Sequence, residues 1–349
     1  MKTQRLNAVL EQMKKDGIQQ MIVSDPYSIF YLTGLMLHTG ERLFALYLNV
    51  DGNHKLFVNE LFPIEEDLGV EKVIFKDTDD SVKVVADRVD HNAVMGIDKN
   101  WPARFLLGLM EHGAGSKFVN GSYIIDRLRM CKDEEEKELM RKASAINDAA
   151  VERLQKEVKG DLTEKQLVTV LKGIYEDLGA DGLSFDPIIG FAANGANPHG
   201  EPGDRYVKEG DAIILDLGCV KDHYCSDMTR TVFYKSVPEK GKEIFDIVLE
   251  ANKRAISIVK PGVRFCDVDA AARDYITEKG YGEYFTHRTG HSIGLECHDM
   301  GDVSSVNTEE LKPGMIFSVE PGIYLPGEFG VRIEDLILVT EDGCEILTY

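Results

Sequence analysis

What this 349-residue chain lacks narrows its class first. No apolar run approaches the ~20 residues needed to span a bilayer. The N-terminus, MKTQRLNAVLEQMKKDGIQQ, is polar and amphipathic, without the apolar core of a secretory signal. The six cysteines (Cys131, Cys219, Cys225, Cys266, Cys297 and Cys344) form no C-x-x-C pair and no zinc-finger spacing. A chain of this length can build its core without disulfide staples, so reduced thiols and a cytoplasmic location are expected. There is no H-E-x-x-H and no low-complexity segment. Cations are scarce: 40 Lys and Arg face 60 Asp and Glu, a formal charge of −20, which argues against nucleic acid and anionic membrane as partners.

What the chain does have is acid in apolar surroundings. Residues 311–340 hold two β-like runs, MIFSVEPGIY and GVRIEDLILV, with Glu320 inside the first and Glu334 inside the second. A carboxylate in a buried strand is unfavourable unless paired or on a metal. A single such acid reads most simply as a strand-end group beside Arg332. The device is repeated, however. KEGDAIILDLG overlies KPGMIFSVEPG without a gap, so that Asp216 meets Glu320 at an offset of 104, and Asp227 follows Asp216 much as Glu334 follows Glu320. Gly160 and Gly262, Gly190 and Gly290, and His199 and His298 extend the match. A period near 100 is too long for a solenoid and implies one domain of two similar halves with the site where they meet. Four converging acids would raise one another's pKa and oppose folding, whereas two divalent cations would neutralise them.

FTHRTGHSIGLECHDMG adds His287, His291 and His298, with Gly290 and Gly294 allowing close backbone approach beside His291. One imidazole with four carboxylates is mainly an oxygen-donor set, suited to Mn²⁺ or similar ions more than to structural Zn²⁺. His199, in a glycine-rich loop, is a substrate or supporting group by its equivalence with His298. The remaining pattern predicts an α/β domain over 1–122, a linker at 123–132, and a second domain over 133–349 opened by one long helix; the class is α+β. In the first domain Asp51-Gly52-Asn53 predicts a hairpin and Pro102 opens a helix.

The motifs LDLGCVKDHYCSDMTRT, HRTGHSIGLECH, FSVEPGIY and GVRIED, with weaker matches in YLTG and RLRMCKDEEE, carry a family resemblance over nearly the whole chain. The chain resembles the creatinase/prolidase/methionine aminopeptidase superfamily of pita-bread dinuclear metallopeptidases, family M24, and within it the bacterial Xaa-Pro dipeptidases. The resemblance implies a pseudo-twofold pita-bread catalytic domain behind a smaller α/β domain. It implies two divalent metal ions, most simply Mn²⁺ with Co²⁺ or Zn²⁺ possible, on Asp216, Asp227, His291, Glu320 and Glu334. Glu320 also shuttles a proton, and His199, His287 and His298 serve the substrate and transition state. Arg332, with His199, meets the outgoing carboxylate. Glu41 and Arg42 match, in part, a loop that reaches a partner subunit's site, and a homodimer is implied.

The implied reaction is hydrolysis of an Xaa-Pro bond, in dipeptides, by a metal-activated water. An Xaa-Pro aminopeptidase acting on longer peptides uses the same ligands and stays open. So does a non-catalytic binding module of the same fold, although such relatives lose ligands that all stand here. A purely structural role for the acids would need more ion-pair partners than Arg332 and Arg230 supply. Where most relatives have His-Glu-x-Pro this chain has His298-Asp299-Met300-Gly301, which predicts altered local loop geometry.

Overall fold

The computed structural model describes residues 1–349. Its contacts divide into two compact units, Met1–Arg129 and Met130–Tyr349. No helix is long and apolar enough to cross a membrane.

The first unit runs α1 (Thr3–Lys15), β1 (Gln20–Val23), α2 (Pro26–Thr33), β2 (Ala45–Asn49), β3 (Lys55–Asn59), β4 (Glu71–Phe75), α3 (Ser81–Ala86), β5 (Val94–Ile97), α4 (Ala103–Glu111), β6 (Lys117–Asn120) and α5 (Ser122–Met130). The strands form one mixed sheet in the order β4-β3-β2-β1-β5-β6. β2 and β3 pair antiparallel across the Asp51-Gly52-Asn53 turn, with Gly52 at φ 89°, as the hairpin signal predicts. Asp25 caps α2 by accepting from the Ser28 amide at 2.8 Å, and Pro102 stands at the N-cap of α4.

The stretch read as a linker, 123–132, is mostly the helix α5, and the contacts divide after Arg129 rather than after residue 122. The long helix expected beyond it is present and unbroken, and a cap of its own separates it from α5. α6 (Glu134–Glu157) starts afresh at Asp133, which accepts from the Glu136 amide at 3.0 Å while the Glu136 carboxylate accepts from the Asp133 amide at 3.0 Å. Before that box, Lys132 donates its amide to the Gly314 carbonyl at 2.8 Å, taking the backbone out of helical pairing.

The second unit continues with α7 (Glu164–Leu178), β7 (Gly182–Leu183), β8 (Ile188–Phe191), β9 (Ala212–Leu217), β10 (Cys219–Lys221), β11 (Tyr224–Cys225), β12 (Met228–Phe233), α8 (Glu239–Ser257), α9 (Phe265–Glu278), β13 (Gly290–Ser292), β14 (Asp299–Val303), β15 (Ile316–Val319), β16 (Gly322–Leu325), β17 (Phe329–Arg332), β18 (Asp335–Val339) and β19 (Cys344–Ile346). The internal repeat is visible in three dimensions. α6 packs on α7 over the sheet β12-β9-β8, and α8 packs on α9 over the sheet β14-β13-β15-β18-β19. Each half has its own apolar core: Leu154, Leu167, Leu171, Phe191 and Leu215 in the first, Val248, Phe265, Val268, Phe317 and Ile337 in the second. β9 pairs antiparallel with β12, and β15 with β18, so each half presents two adjacent strands as expected.

The acids sit differently from the sequence reading. Glu320 and Glu334 are not in mid-strand. Glu320 follows β15, and Pro321, with no N–H to give a ladder, sends the chain into the separate β16-β17 hairpin. Glu334 lies between β17 and β18. The apolar runs are therefore strand pairs broken at the acid, which frees the carboxylate to leave the sheet.

Candidate functional site

Four short devices bring the polar groups together. Asp216 projects from β9 and Asp227 stands immediately before β12; Glu320 and Glu334 hold the corresponding places after β15 and before β18. The two halves meet here: the Glu334 amide donates to the Thr229 carbonyl at 3.1 Å, and the Arg332 amide to Thr231 Oγ1 at 3.1 Å. His291 is on β13, which approaches β15 closely because residue 290 is glycine; a Cβ there would lie 1.9 Å from the Ser318 carbonyl oxygen. A Cβ on Gly294 would meet only side-chain ends, Asp299 Oδ2 at 2.6 Å and Lys132 Cε at 2.9 Å, so the steric requirement for glycine is set by backbone at 290 alone.

The result is a cavity of about 460 Å³ lined by Asp216, Asp227, His291, Glu320 and Glu334, with His199, His287, His298, Arg288, Cys297 and Arg332. Phe185, Ile188 and Pro198 add apolar surface to the lining. Glu41 and Arg42 are not among the lining residues. They belong to the first unit, where Arg42 makes a two-pronged bond to Asp77 at 2.8 and 2.9 Å and Glu41 lies 3.1 Å from Arg42.

The electrostatics of the pocket are unbalanced within the protein. Burial pushes the Asp216 carboxyl up to about 7, against the pull of the adjoining Arg332 guanidinium. Asp227 is raised by burial and by the Glu320 charge, and Glu334 is driven well up by burial, Asp227, Glu320 and Asp216. Glu320 moves the other way: burial would raise it, but His291, His287, Arg332 and a 3.0 Å bond from Ser318 Oγ prevail. Three buried carboxylate oxygens of the pocket have no hydrogen-bond partner: Asp216 Oδ1, Asp227 Oδ1 and Glu334 Oε1. Such orphans are unusual in a folded chain.

His291 identifies what the oxygens face. Its Nδ1 lies 3.2 Å from the Ser292 carbonyl, where it must donate, so Nε2 points between Asp227 Oδ2 and Glu320 Oε1, 3.5 Å from each. An imidazole lone pair aimed at two carboxylates needs a positive centre between them, either a proton or a metal ion. Burial alone would depress this imidazole, but the Asp227 bond and the Glu320 charge raise it, consistent with a site built for a cation. Ligand atoms of Asp227, His291 and Glu334 all lie within 4.8 Å of one another. The donor set, its orphaned oxygens and its pinned tautomer fit a divalent metal centre.

A second network supports the first. Arg332, 3% exposed, donates through Nε to Thr229 Oγ1 (3.1 Å), through Nη1 to Tyr324 Oη (2.8 Å) and the Pro198 carbonyl (3.3 Å), and through Nη2 to Asp216. Thr229 donates its hydroxyl proton to Glu334 at 2.6 Å. Tyr324 Oη lies 2.8 Å from His287 Nε2, and His287 Nδ1 lies 2.6 Å from the Arg288 carbonyl. Nδ1 must donate to that carbonyl, so Nε2 accepts from the tyrosine. Both nitrogens of His287 are thus engaged internally. His298 is exposed on its outer side, while partial desolvation of the ring within the pocket, with His291 and Arg288, lowers its pKa to about 4 and holds it neutral. The departure at 298–301 has a structural counterpart. Gly301 has φ 110°, closed to proline, and Asp299 is buried 3.4 Å from Lys132 Nζ.

Sequence reasoning missed Tyr324, Thr229 and Glu164. Tyr324 lies in the PGIY motif and Thr229 in the SDMTRT motif, but nothing in either string says that the side chain faces the acids. Glu164 is wholly buried on α7 and accepts from the Phe191 amide (2.6 Å), Asn194 Nδ2 (2.8 Å) and the Gly203 amide (2.6 Å), fastening both ends of the loop that carries His199. In sequence it is only the residue after a helix cap.

Comparison with known proteins agrees with this geometry. Residues 138–341 match the model of metallopeptidase family M24, and residues 5–131 match the creatinase/prolidase N-terminal domain. The chain belongs to metallopeptidase family M24. It is a peptidase with a creatinase-type N-terminal domain followed by a pita-bread catalytic domain. An uncharacterized peptidase of Staphylococcus saprophyticus is 39% identical, with 99% of each chain covered. Among solved structures, a dipeptidase from Pyrococcus horikoshii is 35% identical with a TM-score of 0.92, covering 99% of this chain and 98% of that one. An Xaa-Pro dipeptidase from Bacillus anthracis is 31% identical with a TM-score of 0.91, covering 100% and 98%.

One consequence of the raised carboxyls can be measured without substrate. The folded pKa of Glu334 lies above its unfolded value, so the group contributes stability below the ordinary glutamate range. That contribution is lost as pH rises towards the raised value. Metal-free Glu334→Gln should therefore be more stable than metal-free wild type at pH 7.5, with the margin shrinking to nothing as pH falls to about 4. Chemical denaturation of the chelator-treated pair at several pH values checks this; a margin independent of pH contradicts it.

Proposed function

We propose that this peptidase hydrolyses the Xaa-Pro bond of dipeptides with two divalent metal ions, Mn²⁺ or a similar oxygen-preferring ion. The observation that carries the reading is the set of three orphaned carboxylate oxygens in the pocket that holds His291, whose lining also includes Phe185, Ile188 and Pro198. Asp216, Asp227, His291, Glu320 and Glu334 would hold the ions. Bound there, the metals would supply an acidified water and a polarised carbonyl.

The chain's own groups account for the rest. An Xaa-Pro bond has no N–H and carries a ring, and Phe185, Ile188 and Pro198 give that ring an apolar surface. Glu320 is the carboxylate held most readily ionised, so it takes a proton from the attacking water and returns it to the proline nitrogen as that nitrogen leaves. His298, neutral and exposed, donates to the oxyanion, a contribution of about 3 kcal/mol by comparison with other such donors. His287 holds Tyr324 and, through it, the Arg332 fork. Arg332 and His199, both in the cavity lining, would face the product-side carboxylate. Most N–H groups of Arg332 are already engaged, so His199 and Arg288 take the larger share of the substrate carboxylate. The family resemblance further suggests a homodimer.

Glu164 offers a test of the His199 assignment. Glu164→Gln must turn an amide N–H towards at least one loop donor. It should raise KM for Xaa-Pro several-fold while kcat changes little, and lower stability by about 1–3 kcal/mol. A fall confined to kcat would count against a substrate-holding loop.

The second reading, cleavage of longer peptides with proline second, is favoured by one feature. Beyond His199 and Ile188 lies an adjoining cavity of about 660 Å³, lined by Lys165, Thr169, Lys172 and Glu201, with room for chain beyond proline. Chromatographic comparison of Xaa-Pro with Xaa-Pro-Xaa-Xaa, with and without Mn²⁺, separates the two. The proposal expects the dipeptide to be cleaved faster and only with metal, and faster cleavage of the tetrapeptide overturns it.

A further inference from the structure

Beside the carboxylates stands a donor set of different chemistry. Cys297 Sγ and ring nitrogens of His291 and His298 all lie within 4.8 Å of one another. The two imidazoles meet edge to face, 4.1 Å between centroids with planes at 60°. Cys297 is half-buried, lines the pocket, and lies 3.5 Å from Asp227 Oδ2, while His298 is exposed at the mouth. Sulfur with two imidazole nitrogens is a soft set that oxygen-preferring ions such as Mn²⁺ leave alone and that Zn²⁺ or Cd²⁺ prefers.

We propose that Cys297, His291 and His298 form a separate inhibitory site for a soft divalent cation, overlapping the hydrolytic centre at His291. The thiol proton leaves to solvent as sulfur binds. The site opens through exposed His298, so a cation can enter from solvent. Occupation withdraws His291 from the carboxylate centre and His298 from the substrate. Inhibition rests on the peptidase reading above; the binding itself does not. The hard and soft ions therefore compete through one shared imidazole, and the enzyme is active only where soft cations are scarce.

Cd²⁺ is the probe, because it shows a thiolate-to-metal charge-transfer band in the ultraviolet that Mn²⁺ does not. The full chain, Mn²⁺-loaded and chelator-treated, is titrated with Cd²⁺ alongside Cys297→Ser, with circular dichroism confirming that the variant is folded. The expected result is a band saturating at one Cd²⁺ per chain, weakened in His298→Gln and absent in Cys297→Ser. Mn²⁺-supported activity, normalised to each variant's own rate, should then need roughly ten-fold more Cd²⁺ for half-inhibition in Cys297→Ser. No band in the wild type, or a band that survives Cys297→Ser, overturns the proposal. A band of the expected kind in a protein that cleaves no Xaa-Pro substrate leaves this site standing and removes only the substrate assignment.

Discussion

Asp227→Asn keeps the chain folded and removes roughly 10³-fold or more of its hydrolytic rate. The Asp227 carboxylate is buried, has one oxygen without a partner, and faces His291 at 3.5 Å. It stands beside Glu320 and Glu334, so in the metal-free protein its charge is a liability: burial and the neighbouring acids already push it towards the neutral form. An amide of the same shape removes that repulsion, and metal-free Asp227→Asn should melt no lower than metal-free wild type. The same change deletes a ligand shared by the proposed centre. Mn²⁺ should raise the melting temperature of the wild type, since it binds the native state alone, and raise that of the variant little or not at all. Loss of activity with a stable fold and a vanished Mn²⁺ shift is the expected triad. Full turnover in the variant, or an undiminished Mn²⁺ shift, would refute the assignment.

Replacing Arg332 acts in the opposite sense. Its guanidinium is the buried permanent cation bonded directly to one of the four acids, and it serves Asp216, Thr229, Tyr324 and the Pro198 carbonyl at once. Arg332→Met keeps the stem but leaves Asp216 buried without its counter-charge, which costs about 3–5 kcal/mol. In a unit of this size that lowers melting by roughly 10 °C. Arg332→Lys should restore only part of the loss, because an ammonium cannot fork between a carboxylate and a phenol. Mn²⁺ should narrow the gap between Arg332→Met and wild type, since positive charge near Asp216 replaces some of what was removed. Calorimetry with and without metal tests both statements. An unchanged melting temperature in metal-free Arg332→Met would show that another group neutralises Asp216.

The repeat made much of this architecture legible. An alignment of the chain on itself pairs Asp216 with Glu320, and both halves have the antiparallel strand pair that alignment implies, with Asp216 inside β9 and Glu320 just past the end of β15. Gly290 was readable because a residue without a side chain, set beside a functional histidine, marks backbone that must pass close to its neighbours. What the sequence concealed depends on long-range closure. The stretch read as linker is mostly helix α5, and its separation from α6 at Cys131–Asp133 rests on a backbone bond from Lys132 to Gly314, distant along the chain. The strand breaks at Glu320 and Glu334 were masked by continuous apolar runs, since period and propensity say nothing of which sheet a residue joins. The use of Tyr324 on His287 rather than on substrate, and of Arg332 on Asp216, follows from distances that no motif encodes. Glu164 has no local signature because its three partners lie 27 to 39 residues away.

The seam between the two halves of the catalytic unit has a mechanical meaning. Of the five proposed ligands two come from the first half and three from the second, so neither half completes the set alone. A cation held by all of them would work as a rivet across the pseudo-dyad, and its residence time would report how often the seam gapes. Amide exchange along Thr229 and Glu334, where one half hands its backbone to the other, should slow when the rivet is in place, while exchange in the two separate apolar cores stays as it was.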